Sequence, residues 1–388
     1  MTESAVVYSN EKDSVAAGRE LSRQIKLSLP GEPPDAVILF ASPRYDHPAL
    51  LRSLKESCNS KLLVGASSAG EFTTDQRGEG LTCALALRSK EIQFAAGVGR
   101  DLDRDRAAAA RNLVSSFRGV GSENHVFRSA LVMTDALAGH ADDLVEQLTL
   151  STAGRYQFFG GGAGDDAQFR RTQVFYDTES LSNAAVALEM LSQKPIGIGV
   201  GHGWEPVGPP LRVTQAEGMN VVSLNGVPAV EAFEEHAQGT HQAFDPASPF
   251  PFFLHNVLGI HTDSGFRLRV PLSVGKDGSI TCAAKIPVGA TVHLMAATAN
   301  SAVEAAARAT KSAIAALGGH KPQVALFFDC VATRLRMGDA FGLELERLAQ
   351  DLGEARYAGC NTHGQIARAP GQFSGFHNCT AVVCVLPA

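Results

Sequence analysis

The chain has no Cys-x-x-Cys pair, no run of basic residues, no stretch of eighteen or so apolar residues, and a single tryptophan. Each absence removes a class of protein. Without closely paired cysteines there is no zinc ribbon and no thioredoxin-like couple. A net charge of −6, with no stripe of basic and aromatic residues, offers no field to hold a polyanion, so no nucleic-acid partner is expected. The missing apolar run argues against a membrane span. The start, Met1-Thr-Glu-Ser-Ala-Val-Val7, lacks the basic region and apolar core of a secretion signal. Seven cysteines, an odd number scattered through 388 residues, fit reduced thiols in the cytoplasm.

What the chain does have is a block that recurs three times. Glycine-rich segments read Gly65-Ala-Ser-Ser-Ala-Gly-Glu71, Gly160-Gly-Gly-Ala-Gly-Asp-Asp166 and Gly359-Cys-Asn-Thr-His-Gly-Gln365. Each is read as a turn that ends a helix-like run. Upstream of each lies an apolar segment: Ala36 to Phe40, Ala130 to Met133 and Val324 to Phe328. Before those come strand-like runs, Ala5 to Tyr8, Phe94 to Val98 and Val292 to Ala296, followed by helix formers over Val15 to Leu29, Arg106 to Phe117 and Val303 to Leu317. Second helices are expected at Pro48 to Cys58, Ala141 to Thr149 and Phe341 to Leu352, and closing strands at Leu81 to Leu87, Ala184 to Leu188 and Thr380 to Leu386. The reading is an α/β protein of repeated strand-helix-strand-helix-strand units, forming mixed sheets flanked by helices in two domains. Domain one spans 1–226 and holds two units with a connecting strand region. Domain two spans 227–388 and holds a His-rich segment with the third unit. Three glycine turns could converge on a shared site, because glycine lets a backbone approach a neighbour or ligand closely.

Enzyme motifs are incomplete. Gly65 to Gly70 is not a Gly-x-Ser-x-Gly elbow, and Gly160 to Gly164 lacks Gly-x-Gly-x-x-Gly spacing and is followed by acids that would repel a pyrophosphate. Asp165 and Asp166 could hold a divalent cation, although adjacent side chains usually diverge. Cys330 ends an apolar strand four residues before Arg334, so it is either a nucleophile or a buried packing residue.

The segment from roughly 195 to 290 belongs to no copy and carries five of the twelve histidines: His202, His236, His241, His255 and His261. That concentration points to the segment as the place for ligand chemistry. His255, within Phe250-Pro-Phe-Phe-Leu-His255, has the most apolar and aromatic surroundings of any histidine here. The same pattern describes a core segment with a satisfied histidine.

Several of these motifs, taken in order, resemble the FIST family, with its N-terminal and C-terminal domains in tandem. They are the 65–71 and 160–166 segments, His202-Gly-Trp204 leading into Val213-Thr214, Asn225-Gly-Val-Pro-Ala229, Ile286-Pro-Val-Gly289, Cys330 with Arg334, and His377-Asn-x-Thr380. The resemblance covers nearly the whole chain. It implies a ligand-binding sensory module of signal transduction. One branch of stand-alone bacterial members, the nitric-oxide-sensing NosP proteins, binds haem and regulates a partner histidine kinase. The chain departs from the usual pattern at Thr362-His-Gly-Gln365, where members often have Thr-Tyr-Gly-Glu, and at Asp329-Cys330, where many have Ser-Cys.

The expectation is therefore a cytoplasmic sensor of a small molecule or gas. On the resemblance it is a haem b protein answering nitric oxide through a histidine kinase or a cyclic-dinucleotide enzyme, with iron on His255 or His202 and with His261 ranked third. A non-covalent haem needs an imidazole that faces an apolar cavity, with its second nitrogen held by an acceptor. The alternatives are a sensor for a small carboxylate or amino-acid-like metabolite, held by Cys330, Arg334, Asn361 and His363 around the last turn, and an enzyme using Cys330 as nucleophile. A homo-oligomer is left open.

Overall fold

The computed structural model describes residues 2–122, 126–369 and 375–388. Three α/β units follow one another, each a four-stranded mixed sheet with two main helices on one face. The first sheet orders its strands Thr2–Ser9, Thr82–Ser89, Ala36–Ala41 and Leu62–Ser67, the last two parallel and the others antiparallel. The second repeats this with Ile92–Arg100, Ala184–Ser192, Phe127–Thr134 and Gln157–Gly162. The third does so with Gly197–Gly201, Ala381–Pro387, Pro322–Cys330 and Arg356–Thr362. Helices Ser14–Ser28 and His47–Cys58, Arg106–Val114 and Ala141–Ser151, and Ala299–Ala315 and Phe341–Leu352 are the crossovers. Most of these six are amphipathic, and three start on an aspartate, Asp13, Asp46 or Asp105, whose carboxylate accepts an orphan N–H of the first turn.

Two sequence expectations are corrected. The glycine-rich segments begin as strands rather than turns, and the turn proper follows at 68–70, 163–166 and 363–364. Glycine is needed there because a Cβ on Gly65, Gly160 or Gly359 would collide with the carbonyl of the adjoining parallel strand at Leu39, Val132 or Phe327. The first strand of the third unit is Gly197–Gly201, not Val292 to Ala296. Its glycines lower strand propensity, yet they let the helix Ala299–Ala315 approach so closely that a Cβ on Gly199 would strike the Ala309 carbonyl. Strand Thr291–Ala296 instead joins a sheet of the inserted segment, between Val257–Thr262 and Leu211–Glu217. That insert interrupts the third unit between its first strand and first helix.

Each unit also lends a hairpin to another. Glu71–Thr73 with Arg77–Gly78 leaves unit one to pair with Arg356–Thr362 of unit three. Val174–Tyr176 with Glu179–Leu181 leaves unit two to pair with Leu62–Ser67 of unit one. Gln365–Arg368 with Gly375–His377 leaves unit three to pair with Gln157–Gly162 of unit two. The exchange closes a ring of three. The inner sheet faces meet in one apolar core drawn from all three units, with Phe40 and Phe159 against Phe328 at ring distances of 5.6 and 6.5 Å. The helices pack outside, over a separate apolar cluster for each unit. Among the described residues, no helix is long and apolar enough to cross a membrane.

Candidate functional site

The ring brings the three turns together at the carboxyl ends of the parallel strands, where open α/β sheets bind ligands. Asn361 accepts from the Ala69 N–H at 2.9 Å and donates its own N–H to Gly70 at 2.8 Å. His363 donates to the Gly162 carbonyl at 3.0 Å, and Gly164 donates to Ser67 at 2.8 Å. Each turn is thus held by the main chain of another unit.

Beside this junction lies a cavity of about 420 Å³, lined chiefly by Glu71, Arg77, Glu79, Arg334, Asp339 and Asn361 over a base containing Phe72 and Phe341. That volume is within the range of roughly 300–1,000 Å³ typical of small-molecule sites. Asn361 is 1% exposed, and neither atom of its side-chain amide has a hydrogen-bond partner. The Nε of Arg334 is likewise buried without a partner, while its other arm pairs with the exposed Glu79. Buried polar atoms left unpaired are costly, so these point to something that binds. Glu71 is also buried, accepting from Ser68 Oγ at 2.5 Å and from the Leu81 N–H at 2.9 Å. Burial pushes its carboxyl up to about 8, so it is largely neutral at pH 7. Desolvation also lowers the Arg334 pKa, with Glu71 opposing that shift.

Of the four residues expected around the last turn, Arg334 and Asn361 line this cavity, whereas Cys330 and His363 line a different one of about 170 Å³. In the second cavity the His363 ring stacks on Phe169, 4.5 Å away and 20° from parallel. Its Nε2 is 3.5 Å from Asp165 without hydrogen-bond geometry, and burial holds its pKa down to about 4. Cys330 is 3% exposed. A hydrogen bond from Cys379 favours its thiolate and brings its pKa down to about 6, while the Cys379 thiol is pushed upward. The neighbouring Asp329 and Glu344 are both buried, with carboxyls raised by desolvation, Asp329 to about 7.

The aspartate pair does not converge. Asp165 accepts the N–H groups of Phe169, Arg170 and Arg171, while Asp166 turns away to accept from Ser42 at 3.0 Å. Among the described residues, no cluster of three or more His, Cys, Asp or Glu could hold a metal ion.

The histidines expected to hold haem lie apart from both cavities. His255 is exposed on the turn after the short helix Phe250–Phe253, because Phe252 and Phe253 point inward to pack on Phe233 and Phe244. His261 is exposed on a strand, against Phe266. Both ring nitrogens of His202 are engaged: Nε2 with the Phe266 carbonyl at 2.9 Å, and Nδ1 with the Trp204 N–H at 3.3 Å. These three side chains do not fit a haem iron in this arrangement, since a ligating imidazole needs a free nitrogen turned into an apolar pocket.

Glu71 was not singled out in the sequence, and its place at the end of Gly-Ala-Ser-Ser-Ala-Gly-Glu was the available signal. Arg77 and Glu79 had none, because the exchanged hairpin carries them to unit three.

Family models match in tandem: the FIST N domain over residues 35–227 and the FIST C domain over residues 229–368. No curated protein matches the chain. Among solved structures it is similar to a cyanuric acid hydrolase from A. caulinodans, at 9% identity and a TM-score of 0.38 over 99% of each chain. It is also similar to PurLQS from Thermotoga maritima, at 12% identity and a TM-score of 0.24 over 100% of this chain and 72% of that one. At these scores neither identifies a fold.

Proposed function

Because this chain belongs to the FIST family, whose domains are ligand-binding sensory modules of signal-transduction proteins, we propose that it senses a small carboxylate or amino-acid-like metabolite in the cavity between Arg334 and Asn361. The observation that carries this reading is the set of buried, unpartnered polar atoms on those two residues. Arg334 can take a carboxylate through two parallel N–H donors, a geometry that lysine cannot reproduce. The Asn361 amide supplies two further N–H donors and an acceptor oxygen. Neutral Glu71 offers no repulsion. The side chain of Glu79, which holds Arg334 from the solvent side, stands in for the ligand carboxylate and is displaced when the ligand binds. An ammonium group on the ligand would meet Asp339 and the released Glu79.

Signalling follows from where the walls come from. Glu71 to Glu79 belong to the N-terminal family domain, Arg334 and Asn361 to the C-terminal one. A ligand touching both favours one arrangement of the two, a population shift that a histidine kinase or cyclic-dinucleotide enzyme could read. The ligand leaves unchanged, and Cys330 plays no part in it. A thermal-shift panel tests the reading: succinate and glutamate should raise Tm, butylamine should not. Equal shifts from all three would contradict it.

A further inference from the structure

We propose that the cleft between the second unit and the insert is a second binding site, taking a single-ring aromatic molecule that carries one hydroxyl or amino group. The cleft shares no lining residue with the polar cavity. Its walls come from three places: Leu137 and Phe169 of unit two, Met219 and Phe250 of the insert, and Ala332 and His363 of unit three.

Size and lining define the ligand class. An apolar cavity of roughly 150 Å³ accepts benzene, and this one measures about 170 Å³. The difference leaves room for one small substituent. Phe169 and Phe250 meet edge to face at 6.3 Å, forming an aromatic wall against which a further ring can pack. Phe169 is 41% exposed at the mouth, and Leu137 is 43% exposed. Water-facing aromatic and aliphatic groups lead inward to a mostly apolar lining, which suits an aromatic ring.

The polar group is set by His363. Its side chain is only 5% exposed, and neither ring nitrogen makes a hydrogen bond. A neutral imidazole offers one donor and one acceptor. Nε2 faces the Asp165 carboxylate at 3.5 Å, which leaves Nδ1 for a hydroxyl or amino substituent, and a hydrocarbon has nothing to offer it. The local backbone is built to hold this arrangement. Asp165 ties the loop that carries Phe169 by accepting three successive N–H groups, and Asp166, Ala167 and Phe169 all adopt left-handed φ, at 53°, 61° and 53°. Such conformations persist where the surroundings impose them. Here they place Phe169 flat on the imidazole.

The site's occupancy has a built-in reporter. Trp204, the only tryptophan, packs in one apolar cluster with Val270, Cys330 and Ala332, all three of which line the cleft. Titrating the full chain with phenol and with toluene, read by Trp204 fluorescence and calorimetry, tests the proposal. Phenol should bind more tightly than toluene. His363→Phe keeps the stack on Phe169 but removes the hydrogen bond, and should weaken phenol about three- to tenfold without weakening toluene. Ala283→Phe, which fills the cleft from the insert side, should abolish both. Saturating glutamate should leave the phenol isotherm in place, so this site and the polar one fail or stand separately. Absence of binding by both probes, phenol affinity unchanged in His363→Phe, or phenol binding that survives Ala283→Phe would each overturn the proposal.

Discussion

Asn361 donates its backbone N–H to the carbonyl of Gly70 at 2.8 Å, and its side-chain oxygen lies only 2.8 Å from where a Cβ on Gly70 would stand. Gly70 has φ +126°, a conformation that other residues rarely adopt. The contact joins the first unit to the third at the edge of the polar cavity. Gly70→Ala should therefore cost about 1–3 kcal/mol of stability from backbone strain, read by urea denaturation, and should also weaken carboxylate binding by displacing the Asn361 amide. Unchanged stability would mean that the turn relaxes freely.

Glu71 contributes a term to stability that is lost as pH rises. The unfolded chain releases this proton near 4.5, whereas the buried carboxyl keeps it until about 8. Between those values the folded state holds the extra proton, so the stability that Glu71 contributes is full below pH 4.5 and is lost as pH rises toward 8. Gln can keep both hydrogen bonds, accepting from Leu81 and donating to Ser68. Glu71→Gln should flatten that decline by roughly 2–5 kcal/mol across the window, measured as the difference between wild-type and variant denaturation at several pH values. Parallel pH profiles would show that Glu71 is already ionised in the fold.

Glu79 pairs with Arg334, and on the proposed reading a ligand carboxylate must displace it. Removing its charge in Glu79→Gln should tighten succinate binding severalfold, by up to about the 1 kcal/mol of an exposed ion pair, as seen by calorimetry. Weaker binding would instead make Glu79 part of the ligand's own cradle.

The three units were legible because amphipathic helices and apolar strands are local patterns. Helix Ser14–Ser28 announces itself by spacing alone. The placement of Arg334 near Asn361 was legible for a related reason: Arg334 follows the strand Pro322–Cys330, Asn361 lies near the end of the neighbouring parallel strand Arg356–Thr362, and the pairing of Asp329 with Asn361 sets them at one edge. The segments at Gly65, Gly160 and Gly359 were misread because the reason for their glycines is a carbonyl far away in sequence. The exchange of hairpins was illegible for the same cause, and with it the presence of Arg77 and Glu79 at the site. His255 misled because its aromatic neighbours are buried while it is not. Helical geometry at Phe250–Phe253 turns the rings inward and leaves the imidazole on the outer turn.

The most direct test is calorimetric titration of the full chain with succinate and glutamate, comparing wild type with Arg334→Lys at pH 7. Lysine keeps the positive charge but loses the planar pair of donors. The account predicts saturable one-site binding by the wild type and a loss of about tenfold or more in Arg334→Lys, close to the 1.5–3 kcal/mol of a charged hydrogen bond, with Tm of the unliganded protein little changed. Equal affinity in the two proteins, or no heat from either carboxylate in the wild type, would contradict it.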